Sequence, residues 1–177
     1  MNAEFKAQMA ESVRNFRLPR YHEIPDVGLY LEQTTKYNSQ YLEPLPDIEL
    51  TNSMISNYVK KKLIASPVKK QYSRDQIAYL FFIAVGKSVL SINSLQNFID
   101  LQRQTYTPER AYNYFCREME NVIAYTFGLK DQLDAVGDPN PEHPDEKMLL
   151  RNTIVTAANK IYLDQCLSAP QLLNKQS

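Results

Sequence analysis

A chain of 177 residues, 44% apolar and 23% charged, has the composition of a folded globular protein of one domain or two small ones, and this excludes global disorder. Four glycines, with no G-x-G-x-x-G or G-x-x-x-x-G-K-[ST] run, exclude a glycine-rich nucleotide loop. Net charge is zero, 20 basic against 20 acidic residues, so the total charge by itself points to neither nucleic acid nor an anionic membrane.

The apolar spacing is helical almost throughout. Phe5, Met9, Ser12, Val13 and Phe16 form one narrow stripe, the pattern of an amphipathic N-terminal helix. Pro19 and Pro25 break the chain. Asp26 then reads as the N-cap of a helix carrying Val27, Tyr30, Leu31, Thr34 and Tyr41, ended by Pro44 and Pro46. Thr51 opens the next helix, whose buried face is Met54, Ile55, Tyr58 and Val59. Leu63 to Tyr72 contains Pro67 and a basic pair and reads as a short turn or hairpin, the one persuasive place for strands. Ser73-Arg74-Asp75-Gln76 is an S-x-x-Q capping box ahead of a strongly apolar helix through Ile77, Leu80, Phe81, Ala84 and Val85. Ser91 caps a helix with Ile92, Leu95, Phe98 and Ile99 inward. Thr107-Pro108 is an N-cap with proline at the first helical position, and Gly128 is placed to end that helix, which carries Tyr112, Phe115, Met119, Val122 and Ile123. After a loop rich in proline and acid, Gly137 to Pro144, a last helix from about Asp145 to Leu167 is lined by Met148, Ile154, Val155, Ala158, Ile161 and Tyr162. The expected fold class is all-α with one small β-ribbon.

Chemistry-bearing motifs are scarce. Cys116 and Cys166 form no C-x-x-C pair and read as small buried hydrophobes, and His22 and His143 lie in proline-flanked segments. No H-E-x-x-H, nucleophile elbow or carboxylate-rich metal loop occurs, so the expectation is a protein that is not an enzyme and that needs no cofactor. The longest apolar run, Ile77 to Val85, is about half the ~20 residues that span a bilayer, and the N-terminus lacks the apolar core of a signal peptide, so a cytoplasmic location and no membrane partner are expected.

Resolved along the chain, the zero net charge is polarised. Residues 1–50 are net −3, residues 51–87 are net +6, residues 88–116 balance, residues 117–150 are net −5 and residues 151–177 net +2. The basic stretch holds Lys60, Lys61, Lys62, Lys69, Lys70, Arg74 and Lys87 against Asp75 alone. A patch that neutralises several phosphates supplies the sequence-independent part of nucleic-acid affinity. Beside it, the face of the Thr51 helix opposite its apolar stripe is Asn52, Ser53, Ser56, Asn57 and Lys60, short hydrogen-bonding groups suited to base edges or phosphate oxygens. The blander reading, a solvated face whose lysines keep the chain soluble, fits the charge equally well.

The run Thr51 to Ile64, then Pro67, then Lys69-Lys70-Gln71-Tyr72-Ser73 and Ile77-Ala78-Tyr79-Leu80 resembles the winged helix-turn-helix of MerR-type regulators. The corresponding marks are Tyr58, Leu63-Ile64, Tyr72-Ser73, Ile77/Leu80 and Ser91-Ile92. From about Leu18 to Leu101 the chain also looks like an uncharacterised family of small bacterial proteins built on this module. Leu18-Pro19-Arg20, Ile24-Pro25-Asp26, Met54 to Lys60 and Lys69 to Ser73 carry that likeness. The chain departs from the MerR pattern at Ser56, where arginine is usual, at Lys62, where glycine is usual, and in a longer, proline-rich Tyr41–Leu50 connection.

The resemblance implies a homodimeric transcription regulator, read as a repressor, that binds double-stranded DNA. Helix Val27–Tyr41 would support a recognition helix Thr51–Lys62 in the major groove. Lys69 and Lys70 would sit on the wing against the DNA backbone, Lys61 and Arg74 would also bind DNA, and Tyr58 and Tyr72 would donate to phosphates unless they pack in the core. The implied organisation is an N-terminal helix (1–17), a DNA-binding domain (18–104) and a C-terminal dimerisation and effector region (105–177). Tyr106, Tyr112, Tyr114, Tyr125 and Tyr162 are candidates for a small-molecule pocket, with core packing the commoner role for aromatic residues at helical spacing. The rival from another class is a helical interaction module whose basic face binds an acidic protein.

Overall fold

The computed structural model describes residues 3–139 and 141–168. Seven α-helices and a two-stranded ribbon account for the described fold: α1 (Ala3–Ser12), β1 (Leu29–Tyr30), α2 (Leu31–Leu42), α3 (Asn52–Lys60), β2 (Gln71–Tyr72), α4 (Arg74–Gly86), α5 (Ile92–Thr105), α6 (Pro108–Thr126) and α7 (Pro144–Ser168). The helices start where local chemistry says they should. Thr51, Ser73, Ser91 and Thr107 each accept a hydrogen bond from the backbone N–H three residues on. At α4 the box is closed by the Gln76 side chain, which accepts from the Ser73 N–H at 2.8 Å.

Helix α4 organises the rest. Every residue from Ile77 to Gly86 is buried, so it presents no polar face and must be enclosed. Phe81 takes the edges of Tyr37 and Tyr41 from α2 and lies 6.0 Å from the Tyr112 ring of α6. Phe82 meets Phe98 of α5 and Phe115 of α6 at 5.3 and 5.7 Å. A single core runs from Met9 in α1 to Cys166 in α7, and the two side chains meet, sulfur to sulfur, at 3.9 Å. This core crosses both expected domain limits, at 17/18 and at 104/105. The inward face read for the last helix is used within the chain: Ile154, Ala158 and Ile161 are buried against α6 and α4. Met148, expected on that face, is 53% exposed, and Leu150 takes the inward position.

The start of α2 also differs from expectation. Asp26 is not its N-cap and Val27 is outside the helix, 76% exposed. Leu29–Tyr30 instead forms β1, antiparallel to β2 with Leu29 opposite Tyr72 and Tyr30 opposite Gln71. Asp26 points its carboxylate to Arg74, 3.8 Å away, and Tyr30 occupies the cap position. The reason is non-local: pairing with a segment some forty residues later outweighs the local cap signal.

Two helix ends show the same hydrogen-bond closure with different residues. At the end of α6, Gly128 takes φ +75° and its neighbour Leu129 N–H reaches back to the Ala124 carbonyl at 2.8 Å. At the end of α3, Lys62 takes φ +60°, and Leu63 N–H reaches the Tyr58 carbonyl at 2.9 Å. A side chain in this left-handed geometry costs about 1–2 kcal/mol that glycine avoids. Lys62→Gly should therefore stabilise the fold by about 1 kcal/mol, and Gly128→Ala should destabilise it by a similar amount. Urea midpoints should move up and down respectively, at unchanged slope.

Between α6 and α7 lies a fully buried carboxylate, Glu118, paired to the Arg151 guanidinium at 3.1 Å. Burial raises its pKa, and Arg151 only partly opposes this. A carboxyl whose folded pKa is raised holds its proton more tightly when folded, so its contribution to stability declines as pH rises from the unfolded value through the folded one. Glu118→Gln should remove that decline, so as pH is raised from about 4 the urea midpoint of the variant should fall less than that of the parent.

Candidate nucleic-acid interface

Helix α3 is nine residues long with Ile55 and Tyr58 buried and Met54 and Val59 half-buried against the core. That burial fixes which side faces out: Asn52, Ser53, Asn57 and Lys60 are exposed and Ser56 half-exposed, one continuous face at i, i+1, i+4, i+5 and i+8. The N-terminal end is tied to α2, because the Thr35 hydroxyl donates to Asn52 Oδ1 at 2.5 Å. Ser53 exchanges a hydroxyl contact with Thr51 at 3.0 Å. Lys60, Lys61 and Lys62 follow in sequence and all are exposed.

The second part is a hairpin. Val68 and Gln71 exchange both backbone hydrogen bonds, at 3.1 and 2.9 Å, around a two-residue tip of Lys69 and Lys70. Both tip residues have positive φ, +50° and +65°, as in a type I′ turn. Such turns favour Asn-Gly because a Cβ is strained there; this one carries two exposed lysines. With Lys62, three of the four non-glycine residues of positive φ among those described belong to the basic stretch.

Among the described residues, none of Lys60, Lys61, Lys62, Lys69 and Lys70 is in an ion pair. The one acid of residues 51–87, Asp75, accepts the Tyr21 hydroxyl. Among the described residues these five lysines are therefore exposed and without an ion-pair partner.

Three expected contact residues are placed elsewhere. Tyr58 and Tyr72 are only 3% and 4% exposed, and burial raises both phenol pKa values, so packing is their observed role. Arg74 is turned inward: Nε donates to the Ile24 carbonyl at 2.8 Å, and the guanidinium lies 5.4 Å from the Tyr21 ring centre. Lys62, which is not among the expected contact residues, is exposed next to Lys60 and Lys61.

The entry motifs act as staples behind this face. Leu18 is fully buried and its N–H donates to Glu120 at 2.9 Å, while Arg20 makes a two-pronged pair with the same carboxylate at 2.7 Å. That pairing, with desolvation opposing it, raises the Arg20 pKa. Cys116 is fully buried, donates to the Pro19 carbonyl at 3.6 Å and has its thiol pushed up to about 12, chiefly by desolvation, which makes it unreactive. Cys166 is buried as well, and both thiols are free.

No helix of the described residues is long and apolar enough to cross a membrane. No curated protein and no solved structure matches the chain. A family model does, over residues 19–115, a span that takes in the arginine staples, α3, the lysine-tipped hairpin, α4 and the first part of α6. On that match the chain belongs to the family defined by the domain of unknown function DUF1836.

Proposed function

We propose that this protein is a sequence-specific DNA-binding transcription regulator, acting as a homodimeric repressor, in which α3 enters the major groove and the Val68–Gln71 hairpin serves as a MerR-like wing on the adjacent backbone. One observation carries the reading: lysines occupy left-handed backbone positions, Lys62, Lys69 and Lys70, where glycine or asparagine would be more stable. Strain at exposed side chains that are in no ion pair among the described residues supports a functional demand on the side chain. The demand here is for positive charge beside a helix face of Asn and Ser. Phosphate contacts from the lysines would set affinity and register, and Asn52, Ser53, Ser56 and Asn57 would read base edges.

Charge and conformation can be separated at the hairpin tip. The double change Lys69→Asn with Lys70→Gly should raise thermal stability, because Asn-Gly is the preferred type I′ pair, while weakening binding to duplexes selected from a random library. In fluorescence anisotropy the slope of log affinity against log salt should fall by about 0.9 for each phosphate that is no longer neutralised. Unchanged affinity and slope would remove the support for a wing. An acidic protein partner would instead leave no duplex enriched over competitor DNA.

The dimer would use the outer side of α7. Leu149, Leu163 and Leu167 are 45%, 56% and 68% exposed and recur at intervals of fourteen and four residues along it. A two-fold pairing of such a face would present two α3 helices to paired half-sites. Sedimentation at micromolar concentration should give twice the chain mass, and Leu163→Lys should give a folded monomer that binds a full operator more weakly.

A further inference from the structure

A cavity of about 130 Å³ lies between α5, α6 and α7, away from the basic face. Its walls are apolar and aromatic: Phe98 of α5, Tyr106 at the α5–α6 joint, Ala111 and Tyr114 of α6, and Leu150 of α7. A volume near 150 Å³ accommodates one benzene ring. The loop before α7 closes the cavity at Gly137, where a Cβ would meet the Tyr114 ring at 3.1 Å.

Around this apolar space stand three cations, Arg110, Arg117 and Lys147, against the acids Asp138 and Glu146. Glu146 faces His143 at 4.0 Å, whereas Arg110 and Arg117 are in no ion pair among the described residues. The Arg110 guanidinium lies 5.2 Å from the Tyr106 ring centre, and Lys147 Nζ lies 5.6 Å from that of Tyr114 while donating to the Asp138 carbonyl at 2.6 Å. Arg110 and Arg117 are two helical turns apart on α6, about 10 Å along its axis, so they bracket the cavity. Tyr114 adds a buried hydroxyl with no hydrogen-bond partner among the described residues, and burial pushes its pKa up to about 12, so it stays a neutral phenol.

An aromatic-walled space of one-ring size with unpaired guanidinium groups at its rim matches a flat ring bearing one negative charge. We infer that this cavity binds a small aromatic carboxylate, its ring against Phe98, Tyr114 and Leu150 and its carboxylate on Arg110 or Arg117. The site is independent of the DNA reading and stands whether or not α3 binds a duplex.

The test is calorimetric titration of the full chain with benzoate and phenylacetate, and with benzyl alcohol as a neutral probe of the same size. The carboxylates should bind with a dissociation constant at or below the order of 1 mM, and benzyl alcohol at least tenfold more weakly. Arg110→Gln and Arg117→Gln change surface side chains and should leave the circular dichroism spectrum unchanged. At least one of them should weaken benzoate by about tenfold, and the one that does identifies the carboxylate's partner. Failure of both carboxylates to bind would overturn the proposal. Equal binding of acid and alcohol, or benzoate affinity indifferent to both arginines, would overturn the anionic specificity it asserts.

Discussion

Everything in this fold follows from a helix that has no outside. Ten consecutive buried residues in α4 cannot be shielded by one partner helix, so α2, α6 and α7 pack on it and α5 meets it through Phe98 and Leu95. The side chains at its centre contact several elements at once: Phe81 touches α2 and α6, and Phe82 touches α5 and α6. Truncating a buried phenylalanine in such a place costs about 3–5 kcal/mol, a large part of a domain's stability. The consequence for organisation is that the C-terminal helices are structural partners of the basic module. Removing them would uncover the α4 surface that the α6 and α7 side chains now cover.

Polar staples then hold the irregular segments onto this helical frame. The stretch before β1 has no long helix to anchor it, and it is fastened by arginines. Arg20 pairs with Glu120 on α6, and Arg74 at the start of α4 donates to the Ile24 carbonyl and faces Asp26. These contacts give a physical reason for both short motifs, Leu18-Pro19-Arg20 and Ile24-Pro25-Asp26. Each places a fully buried aliphatic side chain next to a group that pairs with a distant helix. Because the Arg20–Glu120 pair is about a quarter exposed and doubly hydrogen-bonded, it avoids the full desolvation penalty of a buried ion pair.

The sequence made the helices legible and the ribbon less so, for reasons that differ by element. Thr51, Ser73, Ser91, Thr107 and Gly128 are local signals, and each sits at the helix end it marks. β1 is two residues long, and it exists because Gln71–Tyr72 is there to pair with it. No local pattern announces that, and Asp26 after Pro25 imitated a cap whose carboxylate is used by Arg74. The basic stretch was legible as charge, but burial sorted it. Tyr58 and Tyr72 went inward and Arg74 became a staple, while the lysines stayed out. The turn type was hidden for a specific reason: type I′ geometry is read from Asn-Gly, and here the chain writes Lys-Lys.

Helix α5 joins the two surfaces that the charge pattern separates. On one side Phe98 and Gln102 line the cavity beneath the C-terminal helices. On the other, the next residue, Arg103, donates to the Leu63 carbonyl at 3.4 Å and lies 5.0 Å from the Tyr79 ring centre. Leu63 is the residue that closes the end of α3, immediately after the left-handed Lys62. A displacement of α5 would therefore be felt at the lysine end of α3 through the Arg103–Leu63 hydrogen bond, and in the α4 core through the Arg103–Tyr79 and Phe98–Phe82 contacts. Packed interiors transmit such shifts because they have little free volume in which to absorb them. The −5 charge of residues 117–150 lies mainly on α6 and the loop beyond it, and the +6 charge of residues 51–87 on α3, the hairpin and α4. The neutral total is the sum of −3, +6, 0, −5 and +2 along the chain, and the two largest of these contributions belong to segments that share one core.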